Sequence, residues 1–387
     1  MRSLELELPR FLEAPLRAGH PWVYRDHVPR EFRAPAGAVV RIRAGSFTAF
    51  ALWDATSQIA LRVYSTREAP SAAWVTERVR QAWELRALVR SERTSAFRWI
   101  FGEGDGLPGV VVDLYGRFAV IALYAEGLEQ IADWVAQALR ETTELSGVVR
   151  RKRESEERLE LVWGRKPPPD LLVEEHGVRL RADLELGQKT GLFLDHRENR
   201  RYLGTLSAGR SVLNLFSYTG AFSLHAARGG ASRVTSVDVA ARAMDTAREN
   251  FRLNGLDADA HDFVVADVFE YLEQARRAGK TWDLVISDPP SFARSKQQQK
   301  QALRAYAKLN SMGLCVTAPG GLYAAASCTS QVGPDAFRQT LAEAAERAKR
   351  RLQIIHEAGQ PPDHPVLAQH LEGRYLKFVV GRALTPA

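Results

Sequence analysis

Four short apolar runs in the second half of the chain each lead to a small or acidic residue, and helical text separates them. They are VLNLFSYTGAF (212–222), VTSVDV (234–239), VVADVF (264–269) and the run that closes on Asp288-Pro289-Pro290-Ser291-Phe292. The first ends in a Gly turn, the second in Asp238, the third in Asp267 and the fourth in Asp288. Strand and helix in strict alternation require an open α/β sheet. Polar groups at the carboxyl ends of consecutive strands lie where such sheets bind ligands.

Composition narrows the function classes. At 387 residues the chain has room for two or three domains. Its net charge is +7, and of 53 basic residues 44 are Arg and 9 are Lys. Arg suits bidentate phosphate contacts and stacking on bases, although an Arg-favouring codon bias accounts for the same count equally well. Two cysteines, Cys315 and Cys328, make no disulfide framework, so a reducing compartment is expected. The start, MRSLELELPR, lacks the apolar segment of a signal peptide, and no window of 18 apolar residues exists. A cytoplasmic protein with no membrane span follows as the expectation.

The first half reads as two smaller modules. VVRIR (39–43), TAFALWD (48–54) and IALRVYS (59–65) alternate, with Gly37, Gly45 and 54–57 as punctuation, which predicts a small β-barrel-like module over 1–70. A helical period over 73–93 places Val75, Val79, Trp83 and Leu85 near one face. The strand AVIALYA (119–125) and an amphipathic helix over 127–141 complete a central α/β unit over 71–170. The charged run RRKRESEERLE (150–160) reads as a solvated linker or a hairpin edge, and Pro167-Pro168-Pro169 as a rigid boundary. The third domain, 171–387, opens on a β-hairpin over 171–186.

The order and spacing of the four runs resemble an S-adenosylmethionine (AdoMet) dependent methyltransferase. In NLFSYTGAFSLHAA (214–227) a strand delivers Asn214 and Phe216, and the chain turns through Tyr218-Thr219-Gly220 into a helix. Gly220 lets the backbone approach a ligand, and the helix N-terminus offers free N–H groups. The resemblance implies that this turn accommodates the methionine part of AdoMet; an ordinary βα turn has the same sequence needs. The turn has no GxGxxG pattern, which weighs against NAD. Asp238 can accept from both ribose hydroxyls or cap the following helix. Asp267 can accept from the adenine amino group, with Val268 or Phe269 against the ring, or cap a helix over 269–278. The prolines of the DPP turn hold extended backbone and remove two donors, so Asp288 can face a flat, amine-bearing ring with Phe292 available to stack.

DPPSFARSK, SYTGAF and QKTGLFLDHREN (188–199) together resemble the bacterial 23S ribosomal RNA large-subunit methyltransferases that carry an N-terminal PUA domain. HPWVY (20–24), SQIALRV (57–63), GEGDGLPGVVVD (102–113) and PDHPVL…EGRYLK (362–377) fit the same pattern, so the resemblance covers nearly the whole chain. It implies a PUA domain, a small α/β domain and a Rossmann-like class I methyltransferase sheet of seven strands, acting on 23S ribosomal RNA, with a homodimer as a further expectation. Asn214, Phe216, Tyr218, Thr219, Gly220, Asp238, Asp267, Val268 and Asp288 would then hold AdoMet. Pro289, Pro290, Phe292, Lys189 and Arg197 would meet the RNA, and no metal is needed.

Cys328, at the end of the strand LYAAASCTS, separates the chemistries. Cytosine C5 is too weak a nucleophile to take a methyl directly, so a thiolate must first add to C6. Cys328 fits the position that the 5-methylcytosine members of the family use as nucleophile. A second Cys, common in such enzymes just after the Pro of the Asp-Pro turn, is replaced here by Pro290 or Ser291. A small buried hydrophobe is the ordinary role of a free Cys, and Cys315 reads as core. Two other functions stay open: methylation of a guanine nitrogen without covalent catalysis, and a non-catalytic RNA-binding assembly factor. Asp195 reads as a helix cap, the 188–199 segment as a cover over the site, and His364 carries no assigned role.

Overall fold

Alternation in the first 65 residues builds a five-stranded sheet. The computed structural model of the chain describes residues 4–152, 158–293 and 295–385. Strands β1 (Leu4–Glu7), β2 (Trp22–Tyr24), β3 (Val39–Ala44), β4 (Phe47–Trp53) and β5 (Ile59–Ser65), with helix α1 (Glu13–Ala18), form the sheet order β1-β3-β4-β5-β2. Along β3, Val40, Ile42 and Ala44 enter the core, while Arg41 and Arg43 stay out. Those two arginines pair with Glu5 (3.6 Å) and Glu7 (2.6 Å) on the parallel neighbour β1. Arg62 is withdrawn from the surface instead, buried against Asp54 at 3.2 Å.

The next helix is shorter than its period predicts. Ser71 caps α2 (Ala72–Leu85), its hydroxyl accepting from Trp74 N, and the α-helix stops at Leu85. Arg86 is drawn fully inside, where its two terminal nitrogens meet the Asp105 carboxylate at 2.5 and 2.7 Å. Leu88 is left 72% exposed, and the buried stripe is Val75, Val79 and Ala82, with Leu85 off it. A second sheet follows: β6 (Ala96–Phe101), β7 (Val110–Tyr115), β8 (Phe118–Leu123), β9 (Gly147–Arg151) and β10 (Leu159–Gly164), in the order β10-β9-β8-β7-β6. Helix α3 (Glu129–Thr142) makes the crossover between the parallel pair β8 and β9. β9 and β10 are antiparallel with Arg150 opposite Glu160, so the flanks of the charged run form a hairpin edge. Its centre, 153–157, lies outside the described residues. Strands β11 (Leu172–Glu175) and β12 (Val178–Arg181) form the expected hairpin.

The chain divides into two compact units: Met1–Val173 with Ala182–Leu194 and Pro362–Gly373, and Glu174–Arg181 with Asp195–Pro361 and Arg374–Ala387. The second holds a seven-stranded sheet. Its elements are α4 (Arg197–Thr205), β13 (Ser211–Leu215), α5 (Ala221–Arg228), β14 (Arg233–Asp238), α6 (Ala241–Leu253), β15 (Asp262–Val265), α7 (Val268–Arg277), β16 (Trp282–Ser287), α8 (Gln299–Cys315), β17 (Thr317–Ser327), α9 (Pro334–Arg347), β18 (Arg351–Ala358) and β19 (Lys377–Leu384). The order is β15-β14-β13-β16-β17-β19-β18, parallel from β15 through β17 and antiparallel at β19 and β18. Central strands read as continuous apolar runs because both faces are covered; Leu213, Leu215, Val237, Val285 and Tyr323 are among the buried core. Chain order reverses between β13 and β16, which opens a crevice at their carboxyl ends. Pro319-Gly320-Gly321 is an irregularity inside β17, where pairing steps from Trp282↔Thr317 to Leu284↔Leu322. Among the described residues no helix is long and apolar enough to cross a membrane.

Candidate active site

The turn after β13 is strained in a specific way. Phe216 (φ 56°) and Tyr218 (φ 47°) both adopt the left-handed region that side chains of this bulk rarely enter. Such residues persist only where their surroundings over-determine them. Here Ser217 N donates to Val237 O (3.0 Å), and Tyr218 N donates to Asp238 Oδ2 (2.9 Å). Gly220 follows with φ 77° as the N-cap of α5. An added Cβ there would lie 2.8 Å from Ala247 Cβ, so the position requires Gly. Asn250 Nδ2 donates to Thr219 O (3.0 Å), which ties the turn to α6.

Asp238 does the work of a turn anchor as well as lying at a strand end. Its Oδ2 takes Tyr218 N and its Oδ1 takes Ala240 N (3.0 Å). A carboxylate has about four lone-pair sites, so each oxygen keeps capacity for a ligand hydroxyl. Asp267 does not end a strand: β15 stops at Val265. It caps α7 instead, Oδ1 accepting from Phe269 N (2.8 Å) and Glu270 N (3.1 Å). Oδ2 of this exposed residue enters none of these bonds. The side chain of Val268 is buried in the core, which leaves the half-buried Phe269 as the apolar neighbour at that strand end.

At the other side of the crevice, Asp288 follows β16, and a histidine that sequence reasoning passed over points at it. His196, nearly fully buried, places Nε2 3.4 Å from Asp288 Oδ1. Asn199 Nδ2 reaches both Gly359 O (3.3 Å) and His196 Nδ1 (3.0 Å). An amide nitrogen only donates, so Nδ1 accepts and the neutral ring carries its proton on Nε2, toward Asp288. Asp195 is not the cap of α4: it is buried and accepts from Tyr375 Oη (2.5 Å).

Cys328 follows the last residue of β17 and is half-buried. Both of its neighbours are fixed. Ser327 Oγ donates to Tyr306 Oη (3.0 Å), and Thr329 Oγ1 lies 2.7 Å from the same phenol and 3.0 Å from Ser291 Oγ in the DPP turn. Burial pushes the Tyr306 phenol up, and the charges of Cys328 and Asp288 both push it the same way. The thiol and the carboxylate therefore both lie within electrostatic reach of one buried hydroxyl. Lys377, the first residue of β19, is a second residue that sequence reasoning did not weigh; only its motif, EGRYLK, gave a signal. Its Nζ donates to Thr329 O (2.6 Å) and Tyr375 O (2.8 Å).

The remaining expected residues are dispersed. Pro289 is buried and Pro290 exposed. Phe292 packs on Tyr306 with ring centroids 4.8 Å apart, so its ring serves the core as well as the turn. Arg197 is fully buried and donates from Nε to Glu198 Oε1 (3.1 Å), which removes it from the surface an RNA would meet. Lys189 belongs to the first unit, exposed, with Nζ 4.5 Å from the Phe193 ring centroid. Cys315 ends α8 half-buried rather than in the core. His364, in the first unit, is buried with Nδ1 3.4 Å from Asp363 Oδ1.

The residues at the turn fit AdoMet. Asn214 Oδ1 and Thr219 Oγ1 are buried polar atoms without a hydrogen-bond partner, a cost that a polar ligand would relieve. They stand beside the free N–H groups of α5 and the remaining lone pairs of Asp238. A mixed seven-stranded sheet with such a turn beside its switch point defines the class I methyltransferase architecture. Comparison with known proteins agrees: residues 120–377 match the S-adenosylmethionine-dependent methyltransferase family, and residues 7–66 match a PUA-like domain. Ribosomal RNA large subunit methyltransferase I of Erwinia tasmaniensis is 37% identical, over 99% of this chain and all of that one. A ribosomal RNA large subunit methyltransferase of Deinococcus radiodurans is 38% identical, over 97% of this chain and 96% of that one. A methyltransferase crystallised with SAH is 29% identical, covers 98% of this chain and 100% of its own, and superposes with a TM-score of 0.89. The chain belongs to the S-adenosylmethionine-dependent methyltransferase family, and AdoMet is its cofactor.

Proposed function

We propose that the protein methylates C5 of a cytidine in 23S ribosomal RNA through a covalent Cys328–C6 intermediate. The observation that carries this reading is the placement of Cys328 at the carboxyl end of β17, held on both sides, with its charge and that of Asp288 acting on the same Tyr306 phenol. Nitrogen methylation needs no thiol there. The ribosomal substrate is inferred from the relatives, which bear the name of large-subunit ribosomal RNA methyltransferases over nearly their whole length.

AdoMet, held by Asn214, Phe216, Tyr218–Gly220, Asp238 and Asp267, would supply an electrophilic methyl group to C5 and depart as S-adenosylhomocysteine. Cys328 Sγ forms a bond to C6, and the electron pair of the C5–C6 double bond makes C5 nucleophilic. Asp288 faces the exocyclic amine of the cytosine and fixes the ring, with His196 Nε2 3.4 Å from its Oδ1. Loss of the C5 proton to a base then breaks the C6–S bond and returns the thiolate. The PUA-like segment holds RNA mainly through shape and phosphates, with Arg41 and Arg43 as its exposed cations. The boundaries of the three modules lie near residues 70 and 170, and the enzyme works in the cytoplasm as a homodimer, which light scattering at micromolar concentration tests.

Digestion of methylated RNA to nucleosides followed by mass spectrometry is the direct check. The expected product is 5-methylcytidine. A methylated guanosine would move the reading to nitrogen chemistry, and no methylated nucleoside on any ribosomal substrate would leave an RNA-binding assembly factor.

A further inference from the structure

We infer that Lys377 holds Cys328 as a thiolate by opposing its charge at the sheet edge, which makes Lys377 a positioning residue for the nucleophile. The inference rests on Cys328 being the nucleophile proposed above.

Lysine is almost never fully buried unless paired. Lys377 is only 5% exposed. Its ammonium donates to two backbone carbonyls, Thr329 O at 2.6 Å and Tyr375 O at 2.8 Å, and among the described residues no carboxylate pairs with it. Two carbonyl dipoles satisfy two of three N–H groups and leave the positive charge uncompensated. The backbone geometry brackets one residue. In the antiparallel ladder of β17 and β19, Ser327 is the partner of Lys377. The carbonyl that receives the ammonium belongs to Thr329. Cys328 lies between them.

The charges agree with that geometry. Burial lowers Lys377 to about 8, and the one charge acting against the fall is that of Cys328. The other titratable groups at this end are Tyr306 on α8, pushed up by burial and so neutral, Asp288 after β16 with His196 Nε2 3.4 Å from it, and Tyr375, whose hydroxyl donates to Asp195. An ammonium beside a thiol stabilises the thiolate and raises the fraction able to attack at neutral pH. Attack on C6 consumes the thiolate charge and elimination restores it, so the lysine stabilises the leaving group as well as the nucleophile.

The test is the pH dependence of Cys328 alkylation by iodoacetamide in free enzyme carrying Cys315→Ala, with no RNA present. In the Lys377→Met variant the inflection should rise by one pH unit or more, and alkylation at neutral pH should slow by about tenfold. Lys377→Arg, which keeps a cation, should restore most of the rate. An unchanged profile in Lys377→Met, even with a lowered melting temperature, means the lysine only braces the loop and overturns the proposal. Should Lys377→Met fail to fold, thiolate absorbance of the unsubstituted lysine enzyme, measured against Cys328→Ser, decides. Titration below the ordinary thiol value of about 8.5 supports the pair, and titration at or above it refutes it. None of these readouts depends on the product, so a methylated guanosine would sink covalent catalysis while leaving the charge pair standing.

Discussion

The two ends of the crevice are built by different means. At the cofactor end, Phe216–Gly220, Asp238 and Asp267 come from three consecutive βα turns, and each turn is shaped by bonds to its own neighbours. At the proposed target end, His196, Asp288, Cys328 and Lys377 come from distant stretches, joined by the β17–β19 ladder, the Asn199 bridge and the Tyr306 hydroxyl. The first end is a set of local conformations that a ligand occupies. The second is a tertiary assembly that gathers a thiol, a carboxylate, an imidazole and a buried amine near the ends of β16, β17 and β19. Cofactor binding should therefore tolerate damage at the target end, whereas turnover should not.

The largest effect separates the ends most sharply. Cys328→Ala should lower turnover by about 10,000-fold or more if Cys328 is the nucleophile proposed, the second thiol, Cys315, lying at the end of α8. AdoMet affinity, measured by calorimetry, should stay near that of the unmodified enzyme. Loss of both would mean that the two ends are one structural unit. Next, Asp288→Asn should cost on the order of 100-fold in turnover by misorienting the cytosine amine. His196→Ala should follow it in direction with a smaller effect; activity near the starting level in both variants would remove Asp288 from the target face.

At the cofactor end, Asp238→Ala should weaken AdoMet by about 1–3 kcal/mol, the range for a lost hydrogen bond to a charged group. Because Asp238 also accepts from Tyr218 N, the loss should be accompanied by a lower melting temperature. Unchanged affinity would leave Asp238 as a turn anchor and nothing more. The smallest effect is expected at the second thiol: Cys315→Ala should cost about 1 kcal/mol of stability or less and retain activity, because Cys315 ends a helix half-buried.

The same contrast explains what could be read from the sequence. The sheet, the Gly220 turn and the strand-end positions of Asp238 and Asp288 follow from local alternation and turn chemistry, and the fold places them accordingly. Asp267 was ambiguous because a strand-end acid and a helix N-cap look alike in text; the backbone makes it the cap. Two of the misreadings share one physical origin, buried charge. Arg86 ends α2 early by pairing with Asp105, and Arg197 is enclosed beside Glu198. A charged residue reads as solvated until its partner and its burial are known; the partner of Arg86 lies in another turn, and the burial of Arg197 comes from the fold around α4. His196 and Lys377 escaped notice for the same reason: each owes its place to residues far along the chain.

The central claim is that Cys328 forms a bond to the base before the methyl group moves. Ribosomal RNA carrying 5-fluorocytidine at the target tests it most directly, because fluorine cannot leave as a proton does and elimination is blocked. The expected result is a protein–RNA adduct that survives denaturation, requires AdoMet and is absent in Cys328→Ala. Full methylation of the natural RNA by Cys328→Ala, with no adduct formed by the unmodified enzyme, would contradict it.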